Sequence, residues 1–255
     1  MVEAIPVGLA ALFGAAFGSF LNVCIHRLPD GLSLLRPASR CPACLSPIRW
    51  RDNVPILSYL LLKGRCRSCG AHISVQYPLV ELTTLVIWAG AVYLYGPAPR
   101  ALVTAVFLTL LLGIAVTDAQ KYIIPDAFSL GGLGLGLVLS LAPGGLRPLE
   151  SLGGAVGGFV FLYVVAALGE WAFKKPAMGG GDIKMMAMIG AFLGPFNALL
   201  TCFVGALVGT VVFGPVSLKT KKLVPFGVFL AVGAAVVFFW GDAMVRWYTR
   251  GLLGR

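Results

Sequence analysis

The sequence predicts an all-α polytopic membrane protein of about eight transmembrane helices with one small cytoplasmic domain. Three observations predict it. The chain is 58% hydrophobic and 12% charged, against roughly a quarter charged in ordinary soluble domains. Its apolar residues gather into long continuous runs, which at 255 residues means several spans and not one large soluble core. Between the first two runs lies a polar stretch, residues 26–78, that holds four of the six cysteines.

The first run, 5–25, follows a segment whose one charge is Glu3, so it lacks a basic leader region and a clean cleavage site. It reads as a retained transmembrane helix and not a removable signal peptide. Further runs cover 78–95, 101–117, 127–142, 151–173, 183–193, 198–213 and 224–245. Several fall short of the ~20 residues a span needs. The shortest, 183–193, is either a half-helix or a helix that continues through Pro195. With 26–78 on the inside, fifteen Lys and Arg residues fall on the inner side and five on the outer. That asymmetry puts the N-terminus outside. Arg246, Arg250 and Arg255 at the outer C-terminus run against it.

The net charge of +10 raises nucleic-acid binding, but no aromatic-interleaved basic groove accompanies it. Topology accounts for most of the excess, and attraction to anionic membrane lipids accounts for the rest. No nucleic-acid partner is expected. The glycines Gly131, Gly132, Gly134 and Gly136, and then Gly153, Gly154, Gly157 and Gly158, read as surfaces for close helix packing.

Within 26–78, Cys41-Pro-Ala-Cys44 and Cys66-Arg-Ser-Cys69 form two C-x-x-C knuckles. Four thiolates at this spacing can close a tetrahedral zinc site of the zinc-ribbon type. So small a domain has little core of its own, and a structural metal supplies the missing stability. Disulfides or four free thiols are the alternatives; an inner location disfavours disulfides, and the paired spacing argues against chance. His72 follows the second knuckle, but four cysteines already complete the site. Cys24 and Cys202 lie in apolar runs and read as small buried hydrophobes.

Asp118 ends one apolar run and Asp182 begins another, in a chain with ten acidic residues. Carboxylates at membrane depth are expensive, so each reads first as functional. Both fall at the inner ends of their helices, where a helix-end role with interfacial water is the plainer alternative. Glu81, at the start of an apolar helix, and Glu170, near the end of another, are further candidates for functional or charge-pairing roles. His26 reads as an interfacial residue, and no nucleophilic triad is visible.

Several segments resemble those of bacterial type IV prepilin peptidases. In the first half these are Gly18-Ser19-Phe20-Leu21-Asn22-Val23, Arg27-Leu28-Pro29, the two knuckles, Asn53-Val54-Pro55-Ile56, Gly64-Arg65-Cys66-Arg67, Ile73-Ser74 and Tyr77-Pro78-Leu79-Val80-Glu81-Leu82. In the second half, Asp118 with Ile124-Pro125-Asp126, and Gly179-Gly180-Gly181-Asp182-Ile183-Lys184, resemble the family's two aspartate motifs. Lys222-Leu223-Val224-Pro225-Phe226-Gly227 is similar to its C-terminal signature. The resemblance implies a G-x-G-D aspartic endopeptidase with Asp118 and Asp182 as the catalytic pair and Asp126 as a non-catalytic neighbour. It implies substrates, the prepilins and type II secretion pseudopilins, that carry an apolar N-terminal helix and a leader cut after Gly at the cytoplasmic face of the bacterial inner membrane. It further implies N-methylation of the new N-terminus from S-adenosylmethionine, and a zinc-bearing cytoplasmic domain. The domain organisation expected is a first transmembrane helix at 1–25, a cytoplasmic zinc-binding domain at 26–78 with Cys41, Cys44, Cys66 and Cys69 as ligands, and a membrane-embedded aspartic peptidase core at 79–255.

The chemistry needs no family name. Two close carboxylates share one proton, so one can accept a proton from water while the other polarises a carbonyl. Gly179 to Gly181 permit extended or left-handed backbone beside a substrate. No strand followed by G-x-G-x-x-G marks a nucleotide fold, so the cofactor-binding residues are not readable; 26–78 is where a pocket is expected. Two other classes stay open on the residues alone. One is a zinc-ribbon membrane scaffold whose aspartates hold helices together. The other is an ion or proton transporter, although transporter sites usually lie near the midplane.

Overall fold

The computed structural model describes residues 4–143, 145–175, 178–220 and 224–251. Glu3, Lys221, Lys222, Leu223 and Arg255, which enter the reading above, lie outside the described residues. Among the described residues the regular elements are helices with no strand, and the extended pairings are two isolated bridges, Arg40 with Pro47 and Arg65 with His72. The helices are α1 Ala4–Arg27, α2 Leu57–Leu61, α3 Gln76–Tyr95, α4 Pro99–Lys121, α5 Asp126–Leu139, α6 Pro148–Phe173, α7 Gly180–Thr220 and α8 Phe226–Gly251. Six of them, α1, α3, α4, α6, α7 and α8, are long and apolar enough to cross a membrane, which makes this a multi-pass membrane protein. Each of the eight apolar runs falls mostly or wholly within a helix. The 127–142 run becomes the 14-residue α5, and the runs at 183–193 and 198–213 become the two halves of α7.

The break in α7 has an identifiable cause. Gly194 takes φ 79° and ψ 172°, a conformation that favours glycine, and Pro195 follows it. Proline has no N–H, so the carbonyl of Ala191 loses its helical donor. The hydroxyl of Ser151 in α6, fully buried, donates to that carbonyl at 2.7 Å instead.

The chain divides into two compact units, Met1–Thr109 and Leu110–Arg255. In the first, α1 packs along α3. A Cβ on Gly14 would lie 2.6 Å from the Thr84 carbonyl oxygen and 2.8 Å from Trp88 Cβ, so the small residue is what lets the helices approach. Asn22 Nδ2 donates to the Tyr77 carbonyl at 3.1 Å, and Phe17 stacks on Trp88. In the second unit the first half of α7 forms the centre, with Met185, Met186, Met188 and Ile189 fully buried. Helices α5, α6 and α8 pack around α7. Of the expected glycine surfaces, Gly132 and Gly136 of α5 and Gly154 and Gly158 of α6 lie against α7; Gly131, Gly134 and Gly153 meet open space. The four-residue spacing puts each pair on one helix face. Outward-facing Leu12, Phe13, Val156 and Phe203 are exposed apolar side chains suited to lipid.

Candidate active site and metal centre

The two knuckles of the first unit fold alike. Cys41 N–H donates to the Ser46 carbonyl at 3.0 Å, and Cys66 N–H donates to the Ala71 carbonyl at 2.8 Å. After the second cysteine of each pair comes a left-handed residue, Leu45 at φ 59° and Gly70 at φ 72°, whose N–H returns to the first cysteine's carbonyl at 2.9 Å. Glycine adopts that conformation freely; Leu45 adopts it at a cost of about 1–2 kcal/mol. The four sulfurs of Cys41, Cys44, Cys66 and Cys69 all lie within 4.8 Å of one another. The Cys41 and Cys69 sulfurs are 3.8 Å apart, the edge of a tetrahedron with metal–sulfur bonds of about 2.3 Å. His72 stands outside the group, as its neighbours' completeness predicts.

Hydrogen bonds from the Ser46 side chain and backbone hold the Cys44 thiol down to about 6. At Cys69 the Ala71 amide favours the thiolate, but contacts with Cys44, Cys66 and Cys41 overcome it and push the thiol up to about 12. The sulfurs thus divide protons unevenly, and a divalent cation would hold all four as thiolates. Arg67, inside the second knuckle, forks onto both oxygens of Asp52 at 2.7–3.0 Å and holds that carboxyl below the usual carboxylate range. Glu81 is buried on α3, where its Oε2 accepts from the Ile56 N–H at 2.7 Å and so ties the knuckle segment to the helix. Glu170 is exposed, and His26 is exposed and stacks on Tyr77. Cys24 is buried as expected; Cys202 is half-buried.

The aspartates belong to the second unit, on its α4, α5, α7 and α8 residues. Asp118 occupies the last turn of α4 and is 5% exposed. Its Oδ2 accepts from the Val228 N–H at 3.1 Å, at the first turn of α8. Asp182 lies in the first turn of α7, half-buried, within electrostatic reach of Asp118 and hydrogen-bonded by the Gly179 amide. Ile124 fills the space between the motifs. A Cβ on Gly181 would lie 3.0 Å from Ile124 Cβ, and one on Gly227 would lie 2.8 Å from Ile124 Cδ1. Asp126, the non-catalytic neighbour that the resemblance implies, is engaged elsewhere: both its oxygens accept from Lys184 Nζ, at 2.7 and 2.9 Å. That pair ties the Ile124-Pro125-Asp126 turn to α7.

The structure corrects one expectation about the glycines. Gly180 and Gly181 are inside α7, with no positive φ at any of Gly179 to Gly181. What they supply at Gly181 is the absence of a side chain against Ile124. Asp182 lies within the same helix's first turn. The sequence reading missed Val228, because its contribution is a main-chain amide that no residue type announces. It also missed the Asp126–Lys184 pair, whose opposite charges sit in the two recognised motifs and were legible as partners.

Fold and sites define a class: a polytopic helical membrane protein with a four-cysteine centre in one unit and two converging carboxylates in the other. Residues 12–95 match the family model described as Bacterial Peptidase A24 N-terminal domain, and residues 105–214 match that of the Type IV leader peptidase family. The chain is 36% identical to the prepilin leader peptidase/N-methyltransferase of Aeromonas hydrophila over 280 residues, 96% of this chain and 94% of that relative. It is 44% identical to the protein of the same name from Klebsiella pneumoniae over 193 residues, 72% and 83% of the two chains. The Neisseria gonorrhoeae protein of that name is 34% identical over 94% of this chain and 92% of its own. No solved structure matches significantly. The chain belongs to the type IV leader peptidase family, whose bacterial members named here are peptidases with N-methyltransferase activity.

Proposed function

We propose that this protein removes the leader from type IV prepilins and type II secretion pseudopilins and then methylates the exposed N-terminus from S-adenosylmethionine. The observation that carries the peptidase reading is the convergence of Asp118 and Asp182, from helices 64 residues apart in sequence, with the Val228 amide on one of them. The pair acts with one shared proton. The ionised carboxylate takes a proton from water as the water oxygen attacks the scissile carbonyl, and the protonated one donates to the carbonyl oxygen. Collapse of the tetrahedral species returns a proton to the leaving amine. Val228 N–H fixes the orientation of the Asp118 carboxylate, and Gly227 leaves space beside it.

Substrate selection follows from the medium. A prepilin presents an apolar helix that packs beside membrane helices, so its cleavage point lies at the interface. The lysine and arginine asymmetry supports an inner-membrane orientation with the aspartates and residues 26–78 at the cytoplasmic face. Lipid headgroups of that leaflet are the other partners. Cys41, Cys44, Cys66 and Cys69 hold a structural zinc that fixes the 26–78 domain, and 79–255 carries the peptidase core. The methyl donor supplies an activated methyl group; the residues of 26–78 and its flanking helices provide the pocket. Incubating purified protein with a panel of prepilins and pseudopilins, with and without S-adenosylmethionine, tests this. Product masses should fall by the leader and, with the donor present, rise by one methyl group. Intact substrate across the whole panel would contradict the proposal.

A further inference from the structure

The first unit contains a cavity of about 530 Å³, within the roughly 300–1,000 Å³ typical of small-molecule sites. Ser19, Asn22 and Val23 of α1 line it, with Tyr77 and Glu81 of α3 and Ile73 from the segment between. Two buried polar groups define its chemistry. Asn22 is 2% exposed, and its Oδ1 has no hydrogen-bond donor among the described residues, while its Nδ2 is committed to the Tyr77 carbonyl. A buried amide oxygen without a donor is costly to maintain, so its persistence points to a ligand that brings one. Glu81 is 8% exposed, and its carboxyl accepts from two neutral donors, the Ile56 N–H and the Ser19 hydroxyl. A buried carboxylate so placed favours a cation.

The arginines refine the choice. Arg27 donates to the carbonyls of Ser33, Leu34 and Pro37, and Arg67 is held by the Asp52 carboxylate on the same wall, so both guanidinium groups are already engaged by the protein. Arg40 also lines the wall and offers a cation for one carboxylate. The stacked rings of His26 and Tyr77, with centroids 5.3 Å apart, add a flat aromatic surface. Together these suit a compact ligand with a flat ring, a hydrogen-bond donor, a cationic centre and one carboxylate.

We infer that this cavity is the binding site for S-adenosylmethionine, with Asn22 receiving a donor from the ligand and Glu81 facing its positive charge. The inference rests on the methyltransferase reading above and supplies the pocket that reading left without residues. Chemically, the new N–C bond forms from the lone pair of the pilin's neutral terminal amine as the methyl–sulfur bond breaks. The bonding pair passes to sulfur, leaving the neutral thioether, and the amine's extra proton passes to water. Asn22 and Glu81 are positioning residues in this scheme.

The test is equilibrium binding of S-adenosylmethionine and of S-adenosylhomocysteine to full-length, zinc-loaded protein in lipid nanodiscs, without pilin. Zinc content and unfolding temperature check that each variant is folded. Asn22→Leu removes the acceptor, and Val23→Phe fills the cavity while leaving the Asn22 bond to Tyr77 intact. Both should weaken the two ligands, on the order of tenfold or more. Glu81→Gln should weaken the cationic sulfonium on the order of tenfold while changing the neutral thioether little. A merely structural glutamate would affect both ligands alike, and that result overturns its role. If wild-type protein methylates pilins yet all three variants bind both ligands normally, the cavity assignment fails alone. If wild-type protein neither methylates any pilin nor binds either ligand, the methyltransferase reading fails, and the assignment with it.

Discussion

The N–H of Val228 donates to Oδ2 of Asp118 at 3.1 Å, across 110 residues of sequence. The start of α8 therefore orients a carboxylate carried by the end of α4. Gly227, buried beside it, has no room for a side chain: a Cβ there would sit 3.0 Å from Asp118 Oδ2 and 2.8 Å from Ile124 Cδ1. Gly227→Ala should leave insertion and zinc content unchanged while lowering cleavage about 100-fold, the scale set by displacing a catalytic group by ~1 Å. Kinetics on a prepilin measure it, and wild-type turnover would show that the carboxylate is not held there.

Asp126 and Lys184 form an exposed pair, and exposed pairs contribute about 0–1 kcal/mol. Asp126→Asn and Lys184→Met should therefore keep most of the cleavage activity, with at most a small loss of stability. Side-by-side assays with Asp118→Asn check the assignment. If Asp126→Asn is the more damaging of the two aspartate changes, the wrong carboxylate has been assigned to the pair.

Ser151 is the donor that replaces the missing Pro195 amide at the Ala191 carbonyl. Ser151→Ala should lower unfolding free energy by about 1–3 kcal/mol, the cost of orphaning a buried acceptor. Thermal unfolding in detergent gives the measurement, and cleavage per folded molecule should stay near wild type.

The four-sulfur cluster should carry about one zinc per chain. Serine at Cys41, Cys44, Cys66 or Cys69 should weaken metal retention, and a strong chelator should loosen residues 26–78 before it affects the second unit. Elemental analysis and limited proteolysis read the two effects. Unchanged metal content after all four are replaced would eliminate the centre.

The sequence made several of these features legible for physical reasons. Long apolar runs mark helices because hydrocarbon leaves the backbone few other options, so each of the eight runs falls mostly or wholly within a helix. The knuckles are legible because both halves of the metal site are local. The sequence left 183–193 as either a half-helix or a helix running on through Pro195; the remedy at the break was not legible, since Ser151 lies 40 residues before the Ala191 carbonyl it serves. Asp118 and Asp182 could be chosen as candidates from their depth, but their convergence depends on where the fold brings the end of α4 and the start of α7. Gly179 to Gly181 invited a conformational reading, and the requirement found at Gly181 is steric. Asn22 was read only as part of a family segment; the burial of its unpaired oxygen depends on α3 packing beside α1.

The most direct test of the central claim is leader removal by Asp182→Asn protein. Asparagine nearly preserves size and hydrogen bonding but cannot cycle a proton, so loss of acid–base catalysis costs on the order of 10²–10⁴ in rate. Membrane-inserted, zinc-loaded Asp182→Asn protein should leave a prepilin at its full mass under conditions where wild-type protein removes the leader. Leader removal at the wild-type rate by the same preparation would contradict the paired-aspartate mechanism.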